Sequence, residues 1–89
     1  MDMNSPMNAA DAKKLLKRIL ESGEVTYSQP HAVDRMKERT LSMVDCENVL
    51  RGGKIEPDGV NRFKVSTNKI TVVIEFISDD EVLVVTIWR

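Results

Sequence analysis

The residues whose types and spacing could do chemistry lie in one stretch, His31-Ala-Val-Asp34-Arg35-Met-Lys37-Glu38-Arg39. His31 is the only histidine of the chain, and an imidazole titrates close enough to neutrality to give or take a proton there. One helical turn on stands Arg35. Its guanidinium can fork onto phosphate oxygens and stabilise the charge that builds on them in a transition state. Glu38 and Arg39 follow a further turn along. On a helix His31, Arg35 and Glu38 share one face with Arg39 close by, while Ala32, Val33 and Met36 turn toward a core. The set suits a phosphodiester, and no metal is required if the 2′-hydroxyl of RNA is itself the nucleophile. The same residue types also make an ordinary surface cluster of ion pairs, and spacing alone does not choose between the two.

Other chemistries find less support. One histidine and one cysteine, Cys46, stand 15 residues apart and match no zinc spacing, and no acidic pair sits in a loop of calcium type. No cofactor is expected. The glycines of Arg51-Gly52-Gly53-Lys54 end a helix rather than begin one, so they lack the strand-loop-helix setting of a phosphate-cradling loop. A cysteine or serine nucleophile would have no second histidine to share the work, and Cys46 falls on the buried side of its helix.

Composition bounds where such chemistry can sit. The 89 residues carry 13 Lys plus Arg against 14 Asp plus Glu, with 42% apolar and 4% aromatic residues. This length allows a single domain, 1–89, with one thin core, so the work is done on the surface or in a shallow cleft. Segments 1–24, 25–60 and 61–89 each nearly cancel in charge, which excludes a bulk electrostatic nucleic-acid binder but leaves room for a local cluster of arginines. A lone cysteine excludes an internal disulfide framework, and the apolar runs fall far short of the ~18–20 residues that span a bilayer. The opening MDMNSPMNAAD is acidic and carries no apolar signal segment. A cytoplasmic, bacterial-type protein without membrane contact is expected.

The elements that must position the stretch can be read from periodicity. Residues 1–4 are expected to fray. Ser5-Pro6 reads as a helix entrance, and a helix over 5–22 follows with Ala12, Leu15, Leu16, Ile19 and Leu20 on one side, closed by Gly23. Lys13, Lys14, Lys17 and Arg18 form its solvated face. Val25-Thr26-Tyr27 reads as a short edge strand, and Ser28 and Pro30 open a second helix, His31 to Arg39. Leu41, Ser42 and Asp45 form a capping box for a third, Met43 to Arg51, with Met43, Cys46, Val49 and Leu50 buried. The period then changes from 3.6 to 2. Strands are expected at Lys54–Glu56, Arg62–Val65, Lys69–Ile77 and Val82–Trp88, with turns at Pro57-Asp58-Gly59, Thr67-Asn68 and Ser78-Asp79-Asp80. The expected fold is α+β, with N-terminal helices packed on one face of an antiparallel β-meander of about four strands. Trp88 is expected in the core or an interface rather than as a base-stacking platform.

The pattern His31-Ala32-x-x-Arg35-Met36-x-x-Arg39, the capped helix ending Val49-Leu50-x-Gly52, then Arg62-Phe63-Lys64-Val65 and the closing Val85-Thr86-Ile87-Trp88 resemble a family of small bacterial proteins known as domain of unknown function 4258. That family is grouped with the RelE-like and barnase-like RNase toxins of the BECR fold, and the resemblance runs from about Tyr27 to Arg89. It implies a metal-independent endoribonuclease, often the toxin half of a toxin-antitoxin pair, whose cognate antitoxin commonly carries a zinc-binding segment and a helix-turn-helix domain. His31, Arg35 and Arg39 match the helix motif; Lys64, Thr86 and Arg89 match polar positions on the sheet that face substrate in related folds. Thr40-Leu41 stands where the family often has Gly-Ile, and the strands carry no second histidine.

On this reading His31 is the general acid or base, RNA phosphate is held by Arg35, Arg39 and Lys64 with Arg62 or Arg89, and Tyr27 lies within hydrogen-bonding range of a phosphate. Arg62 and Lys64 share a strand face opposite Phe63 and Val65. The competing reading is a non-catalytic interaction module, in which Val73, Ile77, Val85 and Ile87 form an uncovered sheet face for a partner protein or a homodimer.

Overall fold

A computed structural model describes residues 7–88, so Ser5, Pro6 and Arg89 lie outside the described residues. Helix α1 runs Ala9–Ser22 and its entrance is Asn8, whose side chain accepts from the Asp11 amide at 2.8 Å. The helix therefore starts later than Ser5-Pro6 suggested. Asn8 satisfies an otherwise orphaned donor, and Asp11 complements the positive end of the helix dipole. Ala12, Leu15, Leu16 and Ile19 are buried, and Lys13, Lys14, Lys17 and Arg18 are exposed. Gly23 closes the helix by donating to the Ile19 carbonyl at 2.7 Å.

Strand β1 (Glu24–Tyr27) follows, then α2 (His31–Glu38) and α3 (Met43–Gly52), then β2 (Lys54–Pro57), β3 (Arg62–Ser66), β4 (Thr71–Phe76) and β5 (Glu81–Trp88). The fold is α+β, and the described residues form three helices and one five-stranded sheet in the order β1-β5-β4-β3-β2. Strands β2 to β5 form the expected antiparallel meander. The sheet as a whole is mixed, because β1 adds to the edge parallel to β5, Glu24 against Glu81 through Tyr27 against Val84. Strand β4 is shorter than the expected Lys69–Ile77, since Thr67 accepts from the amides of Lys69 and Ile70 and holds them in the preceding turn.

The capping box of α3 forms: Ser42 Oγ accepts from the Asp45 amide at 3.1 Å and Asp45 accepts from the Ser42 amide at 2.9 Å. Cys46, Val49 and Leu50 point inward, but Met43 is 57% exposed. It stands at the first helical position, ahead of the turn that reaches the core.

The core is one cluster, joining Leu15, Leu16 and Ile19 of α1, Ala32 and Met36 of α2, Cys46, Val49 and Leu50 of α3, and the inward side chains of β3, β4 and β5. Phe63 and Phe76 meet edge to face with centroids 5.7 Å apart. Burying each such Leu, Ile, Val or Phe contributes about 1.5–3 kcal/mol relative to exposure. Among the described residues, no helix is long and apolar enough to cross a membrane.

One irregularity decides which residues reach the outer face of the sheet. The β4–β5 register runs Val73 against Thr86 and then Ile74 against Val84, leaving Val85 as an inserted bulge residue. Strict alternation puts Thr86 and Trp88 on the core side with Val82 and Val84, and Ile87 outside. The inserted residue reverses this. Ile87 is fully buried in the core, while Thr86 is partly exposed and Trp88 is 38% exposed. The uncovered apolar face expected from Val73, Ile77, Val85 and Ile87 is therefore not built. Ile87 belongs to the core, Val73 is 5% exposed, and of the four only Ile77, at 46%, is well exposed.

Candidate functional site

The candidate site forms where α2 lies against β5 beyond the end of β1. Strand β1 pairs only with Glu81–Val84. The chain leaves the sheet at Ser28, whose amide donates to the Val84 carbonyl at 2.9 Å and whose hydroxyl donates to the Val85 carbonyl at 2.6 Å. The same hydroxyl accepts from the Ala32 amide at 3.2 Å. Ser28 thus ties the start of α2 to the bulge itself. With Ala32 and Met36 buried, α2 turns Arg35 and Arg39 outward.

Those two arginines, with Thr86, Ile87 and Trp88, line a shallow groove of about 500 Å³. Arg35 has no ion-pair partner among the described residues. Two guanidinium groups and a hydroxyl converge on a groove with one aromatic wall, an arrangement that can take a phosphate with its sugar and base.

The remaining expected residues stand at graded distances from it. His31, the first residue of α2, is exposed and does not line the groove. Its position four residues before Arg35 places the two Cβ atoms about 5–6 Å apart. Lys64 lies on the same sheet face as Thr86 and in the same cross-strand row, because Lys64 pairs with Val73 and Val73 pairs with Thr86. Two strand spacings, about 10 Å, separate their backbones. Lys64 faces Asp58 at 3.8 Å, and Arg62 holds Glu75 at 3.1 Å. Both cations are committed to carboxylates on β3's side of the sheet, and the groove does not include them. Val73 stands between Lys64 and Thr86 in that row and is 5% exposed.

Tyr27, expected within range of a phosphate, instead buries its hydroxyl. That oxygen meets no partner in hydrogen-bonding geometry; its electrostatic neighbours are the Cys46 thiol and Glu47. Burial, then the charges of Cys46 and Glu47, push the phenol above its usual range. Burial likewise pushes the Cys46 thiol up from 9.0 to about 12, against a lowering contact from Tyr27 and with a further rise from Glu47. A protonated, fully buried thiol has no nucleophilic use. Among the described residues no three His, Cys, Asp or Glu side chains gather to hold a metal ion.

Trp88 is the groove residue whose place sequence alternation missed. The available signal was the run of β-branched residues through Val84-Val85, where one extra residue leaves the period-2 pattern looking intact while its sense is reversed.

The architecture and this groove define a small α+β domain with a cationic cleft at the end of its last strand. Residues 28–89 match the family described as Domain of unknown function (DUF4258), and the chain belongs to that family. The match takes in α2, α3 and β2 to β5, and so includes α2 and β5, the two elements that line the groove. No curated protein and no solved structure matches the chain.

Proposed function

We propose that the protein is a RelE-like toxin of a bacterial type II toxin-antitoxin pair, acting as a metal-independent endoribonuclease on RNA. The observation that carries this reading is the convergence of Arg35, Arg39 and Thr86 on one groove, one helical turn from the sole histidine. The two guanidinium groups bind the scissile phosphate and offset the charge that accumulates on its oxygens as the 2′-hydroxyl attacks. The Thr86 hydroxyl donates to the same phosphate from the strand side. His31, at the exposed start of α2, takes the 2′-hydroxyl proton or returns one to the leaving 5′-oxygen, and the products are a 2′,3′-cyclic phosphate and a 5′-hydroxyl end. Lys64, two strands across in the same row as Thr86, extends the path for the RNA backbone by exchanging its surface ion pair with Asp58 for a phosphate. The partner on this reading is a cognate antitoxin that covers the groove, and the site of action is the cytoplasm.

The test is expression of the wild type and of His31→Ala and Arg35→Ala in bacteria, with growth and RNA integrity followed together. Purified protein is then assayed on RNA in EDTA, with and without ribosomes. The proposal expects growth arrest and cleavage by the wild type, unaffected by EDTA, and loss of at least 100-fold in either variant, the usual contribution of a proton-transfer or oxyanion group. A wild type that neither slows growth nor cleaves RNA in any of these settings ends the toxin reading. Variants that cleave as well as wild type end the assignment of the site.

A further inference from the structure

We propose that Trp88 is the base platform of the groove, so that the RNA it accepts is single-stranded, with one unpaired base laid on the indole beside the phosphate. The inference rests on the ribonuclease reading for the identity of the ligand, and on the fold for the position of the ring. Of the four aromatic residues, Phe63 and Phe76 are buried and Tyr27 is half-buried, whereas Trp88 is 38% exposed. It is exposed because of the bulge at Val85, which turns Trp88 from the core side to the outer face. Bulges recur next to active sites as devices that re-aim a side chain. Here the same inserted residue sends Thr86 and Trp88 outward together and Ile87 inward.

The surroundings of the ring select the ligand. A phosphate between Arg35 and Arg39 has a base one sugar away, and the aromatic residue lining the same groove is Trp88. Stacking on an aromatic face requires a base with a free face, which a duplex withholds, and it tolerates any base because each has a π-surface. The neighbours of the ring in the groove include two guanidinium groups and a threonine hydroxyl, donors that suit a phosphate.

Trp88 is the only tryptophan in the chain, so its fluorescence reports this position alone. The full chain is titrated at low salt with a 2′-O-methyl hexauridylate, which cannot be cleaved, with an abasic hexamer of the same charge, and with a blunt RNA duplex. The proposal expects saturable quenching by the single strand, little quenching by the duplex, and about tenfold weaker binding of the abasic strand, the size of one lost stack. Binding measured by polarisation of a labelled strand should fall about tenfold in Trp88→Ala and be largely retained in Trp88→Phe. The Phe variant and the wild-type fluorescence keep the test valid should the Ala variant misfold. Equal quenching by the abasic strand, or binding with no change in fluorescence, overturns the platform. So does a blue shift that grows with protein concentration in the absence of RNA, which would make the ring a contact between copies. Cleavage of RNA with unchanged fluorescence on binding sinks the platform and leaves the ribonuclease standing; quenching without cleavage of unmodified RNA does the reverse.

Discussion

Alkaline pH should unfold this protein through two buried acids. Cys46 is fully buried and its thiol is pushed up from 9.0 to about 12, with Tyr27 beside it displaced in the same direction from 10.0. Below pH 9 the thiol is protonated in folded and unfolded chains alike, and its contribution to stability is fully present. Above pH 9 the unfolded chain releases a proton that the folded chain retains. Each further pH unit then costs about 1.4 kcal/mol until the folded thiol itself ionises, for a total of about 4 kcal/mol. That is a large share of the roughly 4–13 kcal/mol expected for a domain of this length. The assay is urea unfolding followed by far-ultraviolet circular dichroism at intervals from pH 8 to pH 11, on the wild type and on Cys46→Ala. The alanine variant starts less stable because of the volume it loses, but that offset is constant with pH. Between pH 8 and pH 11 the wild type should lose about 3 kcal/mol more than the variant. Parallel pH profiles for the two proteins would refute the reasoning. Tyr27→Phe should flatten the profile further above pH 10.

Three other expectations follow from the geometry. Ile87→Ala should cost about 2–5 kcal/mol in urea unfolding, where strict alternation along β5 would leave Ile87 outside and cheap to replace, while Ile77→Ala, exposed just beyond β4, costs under about 0.5 kcal/mol. In the native state Cys46 should resist Ellman's reagent and react only as fast as the chain opens, so its labelling rate should track unfolding across urea concentrations. Gly53→Ala should be strongly destabilising in the same unfolding assay, because an added Cβ would stand 2.6 Å from the Val49 carbonyl and 2.9 Å from the Ser66 carbonyl, both of them backbone atoms.

The sequence announces those parts of the fold in which local chemistry and tertiary packing agree. The capping box at Ser42 and Asp45, the apolar side of α1, the turns at Thr67 and at Ser78, and the alternation of Arg62-Phe63-Lys64-Val65 all satisfy neighbouring backbone groups or a single face, and all are found. Parallel addition of β1 leaves no such trace, because four residues carry too little period and the partner strand lies 57 positions away in register. The bulge is silent for a different reason. Valine is equally at home on either side of a strand, so Val84-Val85 does not say where the pattern changes sense. The candidate site divides the same way: Arg35 and Arg39 are legible as neighbours on one helix, whereas their meeting with Thr86 and Trp88 depends on the inserted residue. Lys64 and Arg62 have the expected orientation, and what alternation could not tell is that Asp58 and Glu75 already hold them.

The parallel edge strand also separates the family boundary from the folding boundary. The family match begins at residue 28, yet β1 and α1 precede it, and they supply one sheet edge and four of the buried side chains. A fragment cut at the start of the match would present the Glu81–Val84 edge of β5 unpaired and the strip beneath Leu16 and Ile19 uncovered, and open strand edges of this sort template association. Closing β1 on β5 joins residues 57 positions apart, so this pairing bears the largest loop-closure entropy of any in the sheet. Strands β2 to β5 can pair through local turns while β1 must wait for β5 to be made. In a chain emerging from the ribosome, the groove therefore takes shape only after the last strand has been released.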